Sequence, residues 1–281
     1  MRIWCAGLLL AAFGVGPAAR GADFPEFSPG RTDLTFAGAS PLSTDAELKR
    51  RFDAPRTPPA YDVAKESFRV DVPGSYRHDA AGWGLFVWVD SSPRPELPPD
   101  WGPVLTARKL IVVAAHDSGN ARELFDRCRM AVDAAHNMRR RFHVDPARVY
   151  VSGSSGGGRV ASMLGVAYAD VFAGSFPMIG ANFYKPIPAG KENQYWLPVY
   201  LPAPEILKRA RAGNRFVLLT GETDFNRENT RRVYEDGFKA EGFRHVLYLE
   251  VPGSGHSRPP AEWLEKGIRF LDDGALPRDG R

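Results

Sequence analysis

The stretch VYVSGSSGGG, residues 149–158, decides how this sequence is interpreted. An apolar, β-branched run ends at Val151, and three serines and four glycines follow within seven positions. Glycine costs backbone entropy wherever a side chain would fit, so this density of glycine indicates a tight or crowded turn. The serine hydroxyls are the chemically useful groups in that turn.

The segments on both sides of this turn predict the fold class. Apolar runs are predicted as strands at residues 109–115, 147–153, 171–180, 215–221 and 245–253. Helical spacing of apolar residues predicts helices at residues 122–142, 157–168, 227–241 and 260–271. Strands that are apolar throughout and alternate with helices are typical of a parallel sheet covered on both faces. We therefore predict an α/β fold whose ligands bind beyond the carboxyl ends of the strands.

Upstream of this region, two runs favour an antiparallel N-terminal strand pair. These are SFRVDV (67–72) and WGLFVWV (83–89), which are separated by a segment with turn residues. Residues 91–103 are rich in proline and are predicted as a loop. Residues 181–204 lack periodicity and are interpreted as an insertion that forms part of a substrate rim.

The chain is predicted to form one large domain after a leader. Its 281 residues are 43% apolar, which suits a single core. Residues 1–21 contain Arg2, a short apolar run and then small residues, which predicts a signal peptide and a secreted or periplasmic protein. Residues 22–62 are predicted as an N-terminal arm, and residues 63–281 as one catalytic domain.

Composition argues against several other classes of function. The 37 basic residues are dispersed and nearly balanced by 33 acidic ones, which is poor evidence for nucleic-acid binding. The N-terminal apolar run is too short to be a permanent membrane span. Cys128 would be the single cysteine left after export, and we expect it to pack in a helix. No H-x-E or C-x-x-C spacing supports a metal, so no cofactor is predicted.

The turn itself fits the pattern G-x-S-x-G between a predicted strand and a predicted helix. Ser155, flanked two positions away by Gly153 and Gly157, is therefore the candidate nucleophile. The amide of Gly156 is the candidate donor to a developing oxyanion. Ser154 is the rival nucleophile, with a weaker match in its flanks. A flexible turn without chemistry is the remaining alternative, since no lysine follows the glycines as it does in a phosphate loop.

A serine hydroxyl needs a base near neutral pH, and this architecture orders the residues as serine, acid, histidine. Asp224 follows the predicted strand 215–221, and His256 follows the predicted strand 245–253. We predict that His256 accepts the proton of Ser155 and that Asp224 orients the imidazole. Glu222 is the alternative acid.

A second oxyanion donor is expected from the loop after residues 109–115. The amides of Ser118 and Gly119 are the candidates in that loop, and the side chain of Asn120 is an alternative.

The motifs VYVSGSSGGGRVA, GETDFN and PGSGH resemble the secreted esterase family that includes polyhydroxybutyrate depolymerases and feruloyl esterases. The resemblance implies an α/β-hydrolase fold and hydrolysis of carboxylic esters through an acyl-enzyme. It places Ser155, Asp224 and His256 at the triad positions and Gly156 at the oxyanion amide. The linker, the separate substrate-binding domain and the paired cysteines of the family's polymer depolymerases are missing, which favours a soluble or small ester.

Two other functions remain open at this stage. A serine peptidase uses the same site on amides, and an exported binding protein on a retired hydrolase scaffold needs no chemistry. The partner expected for the enzyme is a small or oligomeric ester. Basic and aromatic residues between Tyr184 and Tyr200 suggest the hypothesis of an acidic or aromatic acyl group.

Overall fold

The computed structural model describes residues 29–53, 60–80, 82–190 and 192–273. Its strands are β1 (Gly30–Thr35), β2 (Ser67–Val72), β3 (Trp83–Val89), β4 (Leu110–Ala115), β5 (Val144–Ser154), β6 (Gly174–Met178), β7 (Ile187–Pro188), β8 (Tyr195–Trp196), β9 (Arg215–Gly221) and β10 (His245–Val251). Its α-helices are α1 (Asp45–Phe52), α2 (Trp101–Ala107), α3 (Leu124–Arg141), α4 (Gly156–Ala167), α5 (Pro204–Gly213), α6 (Arg227–Arg232) and α7 (Ala261–Asp272). A π-helical segment, Val233–Lys239, continues α6. The predicted signal peptide, residues 1–21, lies outside the described residues.

Within the described residues, one mixed sheet of eight strands forms the centre of the fold. The strand order is β1-β2-β4-β3-β5-β6-β9-β10. In this order, each strand after β4 runs parallel to the one before it. Helices cover both faces: α3 and α4 pack on one face, and α2 and α7 on the other. The prediction of a mostly parallel α/β sheet is confirmed.

The antiparallel N-terminal pair is present, but it joins different strands from those expected. β2 pairs with β1 on one side and with β4 on the other, both antiparallel, whereas β3 lies between β4 and β5 and is parallel to both. The predicted pairing of residues 67–72 with 83–89 is therefore wrong. All residues of β3 are buried, as in an interior strand, whereas burial alternates along β2.

The sequence prediction missed the short strands β7 and β8 and three longer elements, β1, α2 and α5. β1 is exposed at nearly every position and carries polar residues, so it has no apolar pattern to detect. α2 begins inside the proline-rich stretch that was predicted as a loop. α5 begins at Pro204, a residue favoured in the first turn of a helix, and this signal was available but unused.

The segment predicted as an N-terminal arm contributes to the same folded body. It supplies β1 to the sheet, and Leu48 and Phe52 of α1 are buried in the core. Arg51 is also buried and pairs with Asp170 at 2.6 Å. Cys128 is buried on α3, where burial raises the pKa of its thiol to about 12, in keeping with the packing role expected for it. Among the residues described, no helix is both long and apolar enough to cross a membrane.

Candidate active site

The turn between β5 and α4 holds Ser155 in a strained conformation. Its φ is 55° and its ψ is −118°, a backbone conformation that residues other than glycine rarely adopt. Its amide donates to the carbonyl of Met178 on the neighbouring strand at 2.9 Å. Strain of this kind persists where the surroundings fix the backbone, and it directs the Ser155 side chain away from the sheet.

The glycines around Ser155 are required by close packing against β3. A Cβ added at Gly157 would lie 2.0 Å from the carbonyl oxygen of Val89, and one added at Gly153 would lie 2.5 Å from the same atom. The end of β3 therefore crosses directly against the serine turn. This contact places the loop that follows β3, which begins at Asp90, beside the candidate nucleophile.

We expect Gly157→Ala to lower the free energy of unfolding by about 3 kcal/mol or more, since the new methyl group meets backbone that cannot rotate away. Thermal unfolding followed by circular dichroism measures the effect. Gly102→Ala in α2 is the matched control, because a Cβ there meets nothing within 4 Å. A Gly157→Ala protein as stable as this control would contradict the close packing of the turn on β3.

The three side chains proposed from the sequence as nucleophile, base and acid are brought into hydrogen-bonding contact. His256 Nε2 lies 2.9 Å from Ser155 Oγ, and His256 Nδ1 lies 2.7 Å from Asp224 Oδ1. With Nδ1 donating to the carboxylate, Nε2 is left to accept from the serine hydroxyl. The side chain of Asp224 is fully buried and that of His256 is 24% exposed, so the chain of contacts runs from the interior towards solvent.

Two further contacts hold the acid in place. Asp224 Oδ2 accepts from the hydroxyl of Thr220 at 3.0 Å, and Asp224 Oδ1 also accepts from the amide of Asn226 at 2.9 Å. At the end of β9, a Cβ on Gly221 would lie 2.3 Å from the carbonyl oxygen of Ser254. Glycine there lets the loop that carries the acid approach the loop that carries the histidine.

The alternative residues lie elsewhere. Glu222 Oε2 accepts from the amide of Gly253 at 2.7 Å, and the acid in contact with His256 is Asp224. Ser154 is 2% exposed, and its hydroxyl accepts from Arg258 Nε at 3.3 Å. The hydroxyl in contact with the imidazole belongs to Ser155.

Phe225 is an aromatic neighbour of the site that sequence reasoning missed. Its ring stacks on the imidazole of His256 with a centroid distance of 4.1 Å, although the residue is 76% exposed. The signal was its position directly after the candidate acid. Phe225 covers one face of the imidazole and presents its other face to solvent.

The loop after β4 reaches Gly156 and also packs on the loop after β3. The side-chain amide of Asn120 packs against it, with Oδ1 lying 1.9 Å from a Cβ built at Gly156. Ser118 is buried and donates its hydroxyl to the carbonyl of Ala115 at 3.1 Å. A Cβ on Gly119 would meet backbone of the loop after β3, so Gly119 packs on that loop.

The strand order bears on which loop lies nearest the candidate nucleophile. The sequence analysis expected the second donor in the loop after residues 109–115, which form β4. In the structure Trp83–Val89 is the third strand and lies next to β5, whereas β4 is one strand farther away. In the order of the sheet, the loop after β3, which begins at Asp90 and Ser91, is therefore nearer than the loop after β4 to the strand that Ser155 follows.

The segment 181–204 does not present the tyrosines that were proposed for acyl binding. Tyr184 and Tyr200 are 3% and 5% exposed, and their rings pack in an aromatic cluster. Lys185 and Arg211 both pair with Glu241. That hypothesis is wrong for these tyrosines, because they are used in the core. The exposed apolar residues of the segment are Tyr195, Leu197, Val199 and Leu201.

The remaining histidines show no metal-binding arrangement. His116 Nε2 lies 3.0 Å from Asp33 Oδ1, and His78 and His143 lie near each other by Tyr76. His245 opens β10, at the end of the strand opposite His256. Across the part of the chain that the structure describes, no group of three or more histidine, cysteine or acidic side chains is placed to hold a metal ion.

Comparison with known proteins gives structural matches only. No family model and no curated protein matches the sequence. Among solved structures, a mutant of the feruloyl esterase module of Clostridium thermocellum, complexed with sinapinate, is similar with a TM-score of 0.57 and 15% identity, over 77% of this chain and 86% of that one. The substrate-bound fluorophosphonate-binding serine hydrolase F of Staphylococcus aureus matches with a TM-score of 0.55 and 13% identity, over 87% and 99%.

A peptidase-type structure is also similar. A candidate dipeptidyl aminopeptidase IV from Bacteroides ovatus matches with a TM-score of 0.55 and 13% identity, over 88% of this chain and 36% of that one. Similarity at such identities shows the fold and does not carry an activity across. The chain has the α/β-hydrolase fold, with an antiparallel strand pair at the N-terminal side of its sheet.

Proposed function

We propose that the protein is a serine esterase that hydrolyses carboxylic esters through an acyl-enzyme. The observation that carries the proposal is the continuous contact from Ser155 Oγ through His256 to the buried carboxylate of Asp224, at 2.9 and 2.7 Å. An alcohol becomes a nucleophile near neutral pH when a base oriented by a third group can take its proton. The α/β-hydrolase fold supports the same proposed function.

The reaction follows from the proton positions. Ser155 Oγ attacks the acyl carbon of the ester while His256 Nε2 accepts the hydroxyl proton. The buried Asp224 stabilises the resulting imidazolium through Nδ1. The imidazolium then protonates the leaving alkoxide, which breaks the ester bond and leaves the acyl group on Ser155. His256 then deprotonates a water molecule that attacks the acyl carbon, the bond from that carbon to Ser155 Oγ breaks, the carboxylic acid leaves, and the imidazolium returns its proton to Oγ.

The tetrahedral intermediates carry a negative charge on the former carbonyl oxygen, and that charge needs donors. The amide of Gly156, in the first turn of α4, is the proposed first donor. For the second donor we choose the loop after β3, through the amide of Ser91, in place of Ser118 or Gly119. The side-chain amide of Asn120 stands next to Gly156 and is the alternative.

If Asn120 donates to the oxyanion, Asn120→Ala lowers kcat by about 10²-fold or more with little change in KM, because the bond forms chiefly in the transition state. Steady-state hydrolysis of p-nitrophenyl acetate measures this. A loss below threefold would remove Asn120 from the mechanism and leave the backbone of the loop after β3 as the donor.

The function is tested with the unaltered protein. It should react covalently with a fluorophosphonate probe and hydrolyse short p-nitrophenyl esters. Peptide p-nitroanilides assayed beside these esters separate an esterase from a serine peptidase, the second candidate, because the same three side chains can also attack an amide. A protein that neither reacts with the probe nor hydrolyses any ester would instead be a binding protein on this fold.

Export and substrate size are parts of the same proposal. The apolar run at residues 3–15 followed by small residues supports a secreted or periplasmic enzyme. N-terminal sequencing of the exported protein should then begin near Gly21 or Ala22. The 76% exposure of Phe225 beside the base suits a soluble ester that reaches the site from open solvent.

A further inference from the structure

The guanidinium group of Arg258, on the loop that carries His256, contacts the loop after β3 and the last residue of β5 at the catalytic edge of the sheet. Arg258 follows His256 by two residues. Its Nη2 donates to both carboxylate oxygens of Asp90 at 2.8 and 2.9 Å, and its Nε donates to the hydroxyl of Ser154 at 3.3 Å. Its Nη1 donates to the carbonyl of Glu96. The histidine loop, the residue before Ser155 and the loop after β3 are therefore joined at one side chain.

The carboxylate that receives Arg258 is itself firmly held. Asp90 is fully buried, and its oxygens accept from the indole of Trp88 at 3.0 Å, the amide of Ser92 at 3.0 Å and the amide of Glu96 at 3.1 Å. A buried carboxylate is tolerated when it is paired and hydrogen-bonded in this way. Arg258 thus docks on a fixed group.

The chain beyond Arg258 is anchored on the same side. The guanidinium lies 5.4 Å from the ring centroid of Trp88, which packs edge-on against Trp101 at 5.5 Å. The indole of Trp101 donates to the carbonyl of Pro259 at 2.9 Å. These contacts connect β3 and α2 to the residues that follow His256.

We infer that Arg258 and Asp90 form a positioning clamp that holds His256 against Ser155, and this inference rests on the esterase function proposed above. The imidazole makes its hydrogen bonds only to Ser155 and Asp224 among the contacts described, and the ring stacked on it, Phe225, is exposed. The His256 loop is held on the Asp224 side, where the carbonyl of Ser254 accepts from the amide and the hydroxyl of Thr223 at 2.9 and 3.0 Å, and Arg258 anchors the same loop on the Ser154 side. A displacement of about 1 Å at a reacting group can cost about 10²-fold in rate.

The test replaces the guanidinium and counts active sites. Arg258→Gln removes the charge and the fork while keeping a hydrogen-bonding group. We expect kcat per active site on p-nitrophenyl acetate to fall about 10- to 100-fold, with KM changed less than about threefold, because Arg258 is placed to hold His256 rather than the ester. Titration to completion with a fluorophosphonate counts the competent active sites. Protein that has lost its fold is therefore not counted, and it does not lower kcat per site.

Two variants make the result specific. Arg108→Gln breaks the ion pair between Arg108 and Glu265. The side chain of Arg108 is 25% exposed, like that of Arg258, but it lies near the amino end of β4, away from the catalytic edge. We expect it to lower Tm and leave kcat per site unchanged. Arg258→Lys keeps the charge, and we expect it to recover part of the loss, because an ammonium group lacks the fork that reaches both Asp90 and Ser154.

The outcomes separate the inference from the function on which it rests. An active wild-type protein whose Arg258→Gln variant keeps the parental kcat per site overturns the clamp, as does an equal loss in Arg108→Gln. If Arg258→Gln does not fold, Arg258→Lys decides, and parental kcat per site in that variant overturns the clamp. A wild-type chain that is inactive towards esters and the probe overturns the proposed function, and the clamp with it.

Discussion

Ser155→Ala should reduce kcat for p-nitrophenyl acetate by on the order of 10⁶-fold while leaving the far-ultraviolet circular dichroism spectrum unchanged. The hydroxyl is the group that would form the acyl-enzyme, and a methyl group cannot attack the ester. The residual rate measures what the oxyanion donors and His256 achieve with water alone. Covalent labelling by the fluorophosphonate should disappear with it.

The neighbouring serine provides the control. Ser154 is also a serine of the turn, but its hydroxyl faces Arg258 and is buried. Ser154→Ala should lose less than about tenfold, because the variant removes one long hydrogen bond to a positioning side chain and no reacting atom. If Ser154→Ala lost all labelling while Ser155→Ala kept it, the assignment of the nucleophile would be reversed.

Asp224→Ala should lower kcat by about 10⁴-fold. Without the buried carboxylate, His256 Nδ1 loses its 2.7 Å partner, and neither the required tautomer nor the imidazolium is stabilised. Asp224→Asn distinguishes these two effects. Its amide oxygen can occupy the Oδ1 position and accept from Nδ1 and from the Asn226 amide, while its NH₂ group donates to the Thr220 hydroxyl. The loss that remains in Asp224→Asn therefore measures the missing charge.

Glu222→Ala is the matched control for the acid. Glu222 lies two residues before Asp224 and accepts from the amide of Gly253 rather than from the imidazole. We expect its kcat to stay within about threefold of the parent, with a small loss of stability from the hydrogen bond. An Asp224→Ala protein that keeps its activity while Glu222→Ala loses it would move the role of the acid to Glu222.

Much of the fold and of the candidate site is encoded in short-range patterns. The strand β9 was predicted with its observed bounds because a buried parallel strand is a continuous apolar run, and the half-buried edge strand β10 was predicted with its observed start. Ser155, Asp224 and His256 could be proposed because each follows a strand, and the carboxyl ends of parallel strands meet at one edge. Local chemistry and chain order were sufficient for these predictions.

Strand neighbours were harder to predict than strands. An alternating run such as β2 and a fully apolar run such as β3 look like consecutive hairpin strands, yet β4 inserts between them. β1 carries no apolar pattern at all, so it was missed. Pairing depends on packing over the whole sheet, which a local pattern does not contain.

The sequence by itself determined the α/β class, the strained serine turn and the residues that end the strands of the catalytic edge, because periodicity and turn chemistry act within a few residues. Only the tertiary structure decided that Tyr184 and Tyr200 belong to the core and that Asp90 meets Arg258, which is 168 positions away. Burial and ion pairing between distant residues depend on which surfaces face each other after folding. That choice is made by long-range packing of the sheet and its helices.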